Sequence, residues 1–137
     1  MSDRACPCAS GLDYQACCAV WHKGGGAPTA EALMRSRYSA FVRKDVPYLI
    51  RTSHPLLRAK IDVRQLRQSL ALDWCGLTVV AVAGGGPDDQ AGEVHFRACF
   101  RHAGQEQVHE ERSRFVRVGG EWVYRDDRGT LNRAATA

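Results

Sequence analysis

A chain of 137 residues with 45% hydrophobic and 25% charged residues has the composition of an ordinary globular protein, which excludes a fibrous or wholly disordered chain. That length allows one domain with a proper hydrophobic core and at most a small appendage. A net charge of +4, from 19 basic and 15 acidic residues, permits nucleic-acid contact but lacks the concentrated basic stripe that would argue for it, and a solvated surface accounts for it.

The first residues, MSDRACPC, carry no basic segment followed by an apolar run, and no stretch approaches a membrane-spanning length of apolar residues. The expectation is a cytoplasmic protein with no membrane partner. In a reducing compartment, closely spaced cysteines bind metal or do redox chemistry more often than they form structural disulfides.

Four of the six cysteines, Cys6, Cys8, Cys17 and Cys18, lie in CPCASGLDYQACC. Thiolates bind zinc tetrahedrally, and a closed structural site needs four ligands gathered by tight turns. Pro7 and the Ser10-Gly11 pair supply such turns. Adjacent Cys17 and Cys18 have to converge on one ion although neighbouring side chains usually diverge, so His22 is a reserve fourth ligand. So short a segment offers almost no core in which four thiols could be buried without metal.

HKGGGAPT, residues 22–29, interrupts the chain with glycines and a proline. Beyond it, Thr29 is a good N-cap, Glu31 suits the first turn, and Leu33, Met34, Tyr38, Phe41 and Val42 recur at helical spacing, predicting a helix over about 30–44. VPYLIRTSHP predicts a second short helix or turn ending before Pro55, and DVRQLRQSLALDW a third helix N-capped by Asp62. The period then changes. GLTVVAVA, EVHFRACF, VHEERSRFVRV and EWVYRD are rich in β-branched and aromatic residues and separated by turn chemistry, which predicts four strands in a meander. Helices followed by such strands give an α+β domain.

CPCASGLDYQACC resembles the SEC-C zinc motif, in the variant whose last ligand is cysteine. APTAEALMRSRYSAFV, TSHP, WCGLTV and ERSRFVR followed by EWVYRD resemble the YchJ-like family over residues 6 to about 128. The resemblance implies a SEC-C knuckle (residues 1–24), an NTF2-like cone in which a curved antiparallel sheet wraps helices (28–128), and a tail (129–137). Such scaffolds serve enzymes, binders and adaptors alike, so fold alone does not choose a function.

On the helical wheel Arg37 falls between Leu33 and Phe41, inside the apolar face. A buried guanidinium demands a carboxylate or an anionic ligand. Alternation puts His109, Glu111, Ser113 and Phe115 on one face of the third strand, so Glu111 is the expected ion-pair partner of Arg37. Arg35 lies at the edge of the same helix face. His54 is expected at the pocket rim with Trp74, and Tyr38, Trp122 and Tyr124 complete an aromatic-walled cavity with a few polar groups, the usual make-up of a small-ligand site. Cys75 and Cys99 read as ordinary core or surface residues.

No complete catalytic signature is present. Three functions follow as expectations: an adaptor that docks on a protein or ribosome through the knuckle, a binder of a small anionic molecule gripped by Arg37 or Arg35, and an enzyme using His54 or Glu111 as general base.

Overall fold

Thr29 opens the longest helix as its sequence position predicts: its hydroxyl accepts a hydrogen bond from the Ala32 amide, and the helix, α2 (Ala30–Arg43), ends at Lys44 in the left-handed conformation. The computed structural model of the chain describes residues 5–134. A 3₁₀ turn (Tyr14–Ala16) and α1 (Cys18–His22) precede α2; α3 (Val46–Arg51), α4 (Pro55–Arg58) and α5 (Val63–Leu70) follow it. α3 ends before Pro55, capped at Thr52, and Pro55 takes the first position of α4, where its missing amide costs nothing. Asp62 caps α5, which stops at Leu70 instead of running on to Trp74.

Four strands make one antiparallel sheet in sequential order: β1 (Asp73–Gly84), β2 (Ala91–His102), β3 (Gln105–Val118) and β4 (Glu121–Ala134). Each is longer than its sequence pattern suggests, β4 most of all, because ladder pairing with β3 carries it past Asp126 to Ala134. Residues 135–137 of the expected tail lie outside the described residues. Register shifts after Trp74 and Val79 in β1, and between Glu111 and Ser113 in the β3–β4 pair, bend the sheet.

α2 lies against the concave face, with Leu33, Met34 and Tyr38 packed on Leu77, Val94, Ala98, Phe115 and Trp122. At one end the β1–β2 connection meets the start of the helix. The Gly85 carbonyl accepts the Ala30 amide at 2.9 Å, and a Cβ on Gly92 would stand 2.4 Å from the Gly85 Cα. Only glycine fits at that crossing. At the other end the α3–α4 link is stitched to β4: the Tyr124 amide donates to the Thr52 carbonyl at 2.8 Å and the His54 amide to the Tyr124 carbonyl at 2.9 Å.

The glycine-rich break does not separate two cores. Cys6, Cys8 and Cys18 belong to the same buried cluster as Leu33, Met34 and Phe115. Thiols are apolar enough to join a core, and α2 offers them its outer side.

Candidate functional site

Two sites flank α2, one on each side. On the outer side, the Ala5–Asp13 bridge and the Cys6 amide donating to the Leu12 carbonyl close a loop that turns Cys6 and Cys8 inward. Cys17 has φ −130° and ψ −113° at the entry to α1, a conformation outside both helix and strand that lets it converge with Cys18. The four sulfurs lie within 4.8 Å of one another, with Cys8 and Cys17 at 3.6 Å. An all-thiol set at this spacing is compatible with a metal ion. Hydrogen bonding from Cys18 outweighs burial and draws the Cys8 thiol well below its ordinary range, while hydrogen bonding to Cys8 and burial push Cys18 up.

His22 is not a ligand here. Its Nε2 donates to the Ser36 carbonyl at 2.8 Å and its Nδ1 accepts from the Tyr14 hydroxyl at 2.6 Å. With both ring nitrogens committed, burial lowers its affinity for a further proton. Arg35, expected near the cone cavity, serves the knuckle instead: Nη1 donates to the Cys8 carbonyl at 2.7 Å while Nε pairs with Glu31 at 3.0 Å. On the wheel Arg35 sits at the edge of the apolar face, and the knuckle is what covers that edge.

On the inner side of α2 a cavity of about 230 Å³ is lined by Arg37, Tyr38, Trp74, His109, Glu111, Ser113, Phe115 and Tyr124, all expected from the sequence, and by Met34, Phe41, Phe96 and Ala98. The last four were legible: Met34 and Phe41 share the helix stripe, and Phe96 and Ala98 alternate on β2. Trp74 organises the apolar wall, its ring centroid 6.4 Å from Tyr38, 6.0 Å from Phe41 and 6.3 Å from His109.

Arg37 and Glu111 share this cavity but do not form an ion pair. Nη1 of Arg37 donates to the Leu49 carbonyl at 3.0 Å and to Thr52 Oγ1 at 2.7 Å. Thr52 Oγ1 is free to accept because its own proton goes to the Tyr48 carbonyl. The guanidinium stacks on Tyr124, 4.9 Å from the ring centroid. Burial brings Arg37 down to about 10, so it stays charged at neutral pH, with Tyr124, Tyr48 and Glu111 favouring that charge. Glu111 is held by its own strand: His109 Nε2 lies 2.9 Å from Oε1, and Ser113 donates a short bond to Oε2. The Leu49 carbonyl and the Thr52 hydroxyl at the end of α3 hold the guanidinium in place of the carboxylate.

Two further expected residues lie outside the cavity. His54 caps α4, its Nδ1 accepting the Leu56 amide at 3.1 Å, because Pro55 after it starts a helix that needs a cap. Trp122 is buried near the start of β4 and donates Nε1–H to the Pro28 carbonyl at 3.2 Å, fixing the approach to α2.

Comparison with known proteins agrees with this architecture. Residues 29–127 match the family described as the YchJ middle NTF2-like domain, and residues 5–19 match the SEC-C motif. The chain belongs to the YchJ-like family. It is 46% identical to a UPF0225 protein of Streptomyces coelicolor over 88% of this chain and 92% of that one. It is 43% identical to a UPF0225 protein of Xanthomonas oryzae over 93% of this chain and 97% of the relative. The solution structure of a SEC-C motif containing protein from Rhodopseudomonas palustris superposes with a TM-score of 0.82 at 35% identity, covering 90% of this chain and 97% of that one. A crystal structure of a SEC-C motif containing protein from Psychrobacter arcticus gives 0.77 at 32% identity, covering 88% and 80%. Both agree with a knuckle mounted on an NTF2-like domain. No helix of the described residues is long and apolar enough to cross a membrane.

Proposed function

We propose that this YchJ-like chain is a small-molecule-binding domain whose cavity takes a compact ligand with an apolar body and an anionic group, and whose knuckle holds zinc. One observation carries the reading. Among the described residues, Arg37 is fixed at the cavity wall through Nη1 alone, its Nε and Nη2 meeting no protein acceptor beside Tyr124 and an aromatic wall. A charged donor held in a largely apolar cavity is the arrangement that recognises an anion at one end of an apolar ligand. Zinc on Cys6, Cys8, Cys17 and Cys18 would act structurally, bracing the helix that presents Arg37.

A panel of aromatic and aliphatic carboxylates and phosphates, followed by thermal shift and native mass spectrometry, tests this. At least one class should stabilise the wild-type chain and lose that effect in Arg37→Met. Stabilisation that survives Arg37→Met, or none from any class in a chain shown to be free of retained ligand, would sink the reading.

Catalysis has less support. His54 spends Nδ1 on a helix cap, and both Glu111 oxygens are already hydrogen-bonded. A second reading, docking of the knuckle on a protein or ribosomal partner, is favoured by Leu12 and Val20, which are 53% and 44% exposed on its outer surface. Co-sedimentation with ribosomes that disappears in Leu12→Ser would support it.

A further inference from the structure

Cys75 and Cys99, outside the knuckle, come together on the face of the sheet opposite the cavity. The shift of register between Trp74 and Gly76 leaves Cys75 as the extra residue of a bulge, and Gly76 pairs with Cys99. Alternation along β3 puts Glu106 on that same face, across from Arg101. One ligand atom from each of Cys75, Cys99 and Glu106 falls within 4.8 Å of the other two. Cys99 Sγ donates to Glu106 Oε1 at 2.9 Å. The neighbouring arginines are engaged elsewhere, Arg97 with Glu110 at 3.1 Å and Arg101 with Asp73 at 3.8 Å.

We infer that Cys75, Cys99 and Glu106 form a second metal site, one that takes a thiophilic divalent cation such as zinc and leaves a coordination position open to solvent. Two thiolates and a carboxylate at this spacing are ligands that such ions select, and three protein ligands are one fewer than a closed site uses. A divalent cation attracts all three groups at once. Both cysteines are half-buried and Glu106 is exposed at the strand end, so an ion can enter from solvent.

The test is a cobalt titration, then a zinc titration, of the full chain kept reduced with a phosphine. The expected result is a second equivalent, weaker than the knuckle's, with thiolate-to-cobalt charge-transfer absorption. Cys99→Ser should abolish it, and Glu106→Gln, an exposed change with little bearing on folding, should weaken it at least about tenfold. Cys17→Ser should deplete the knuckle equivalent and leave this one, so failure of either site is read separately. Uptake of metal by the knuckle alone, or a second equivalent indifferent to both Cys99→Ser and Glu106→Gln, overturns the inference.

Discussion

Arg37 and Tyr124 face each other across the inner end of the cone, the guanidinium 4.9 Å from the ring centroid, because two main-chain hydrogen bonds tie Tyr124 to the α3–α4 link. The same link supplies Thr52, which with Leu49 accepts the Arg37 proton donors. Helix, link and last strand therefore meet at one charged group.

Arg37→Met should destabilise the domain by about 2 kcal/mol, the scale of hydrogen bonds made by a charged donor. The coupling partner is Thr52 and not Glu111. A double-mutant cycle of Arg37→Met with Thr52→Val should show an interaction of about 1 kcal/mol, while the cycle with Glu111→Gln, lacking direct contact, should be close to additive. Urea melts of the variants measure both.

Glu111 gives the fold an acid sensitivity of known sign. Burial pushes its carboxyl up, but the hydrogen bonds from His109 and then Ser113 outweigh it, so the group sits below its ordinary value. Such a carboxylate contributes stability that is fully present above the unfolded value of about 4.3 and is lost as pH falls through the folded value. Ser113→Ala removes one of the bonds that hold it down. Stability at neutral pH should fall by about 1 kcal/mol, and because the folded value moves toward the unfolded one, Glu111 contributes less to the acid decline and the variant's curve converges on the wild type's as pH falls. Denaturant midpoints measured from neutral pH to about pH 3 would refute this if the two curves stay parallel.

Stripping the knuckle should weaken the whole domain. Cys6, Cys8 and Cys18 share a cluster with Leu33, Met34 and Phe115, so a loosened knuckle uncovers the outer side of α2. Chelator treatment, or Cys8→Ser, should lower the melting temperature in a single transition. Calorimetry showing an early, separate transition with an unmoved main peak would make knuckle and cone independent modules and overturn this.

Gly92→Ala should cost about 1 to 3 kcal/mol, the scale of overpacking. Its Cβ would lie 2.4 Å from the Gly85 Cα and 3.1 Å from the Ala30 Cβ, so backbone has to move. Thermal denaturation beside Gly129→Ala, in β4, where nothing lies within 4 Å of the added carbon, separates crowding at this crossing from the cost common to glycine replacement in the sheet.

Local chemistry by itself determined that helices precede a four-strand meander, the cap at Thr29, the inward stripe of α2 and the shared face of His109, Glu111, Ser113 and Phe115, because caps and periods of 3.6 and 2 are written in neighbouring residues. The cysteine spacing likewise singled out Cys6, Cys8, Cys17 and Cys18, which the fold gathers. Tertiary structure alone decided which groups these side chains meet. Periodicity places Arg37 inward but says nothing of the Leu49 carbonyl or Thr52, which compete with Glu111 for it only once α3 turns back on α2. Arg35, one turn-edge away, meets the Cys8 carbonyl because the knuckle folds onto α2 across the glycine-rich break. Cys75 and Cys99, separated along the chain and unremarkable in their own strands, become neighbours through a bulge whose register is set by pairing between strands.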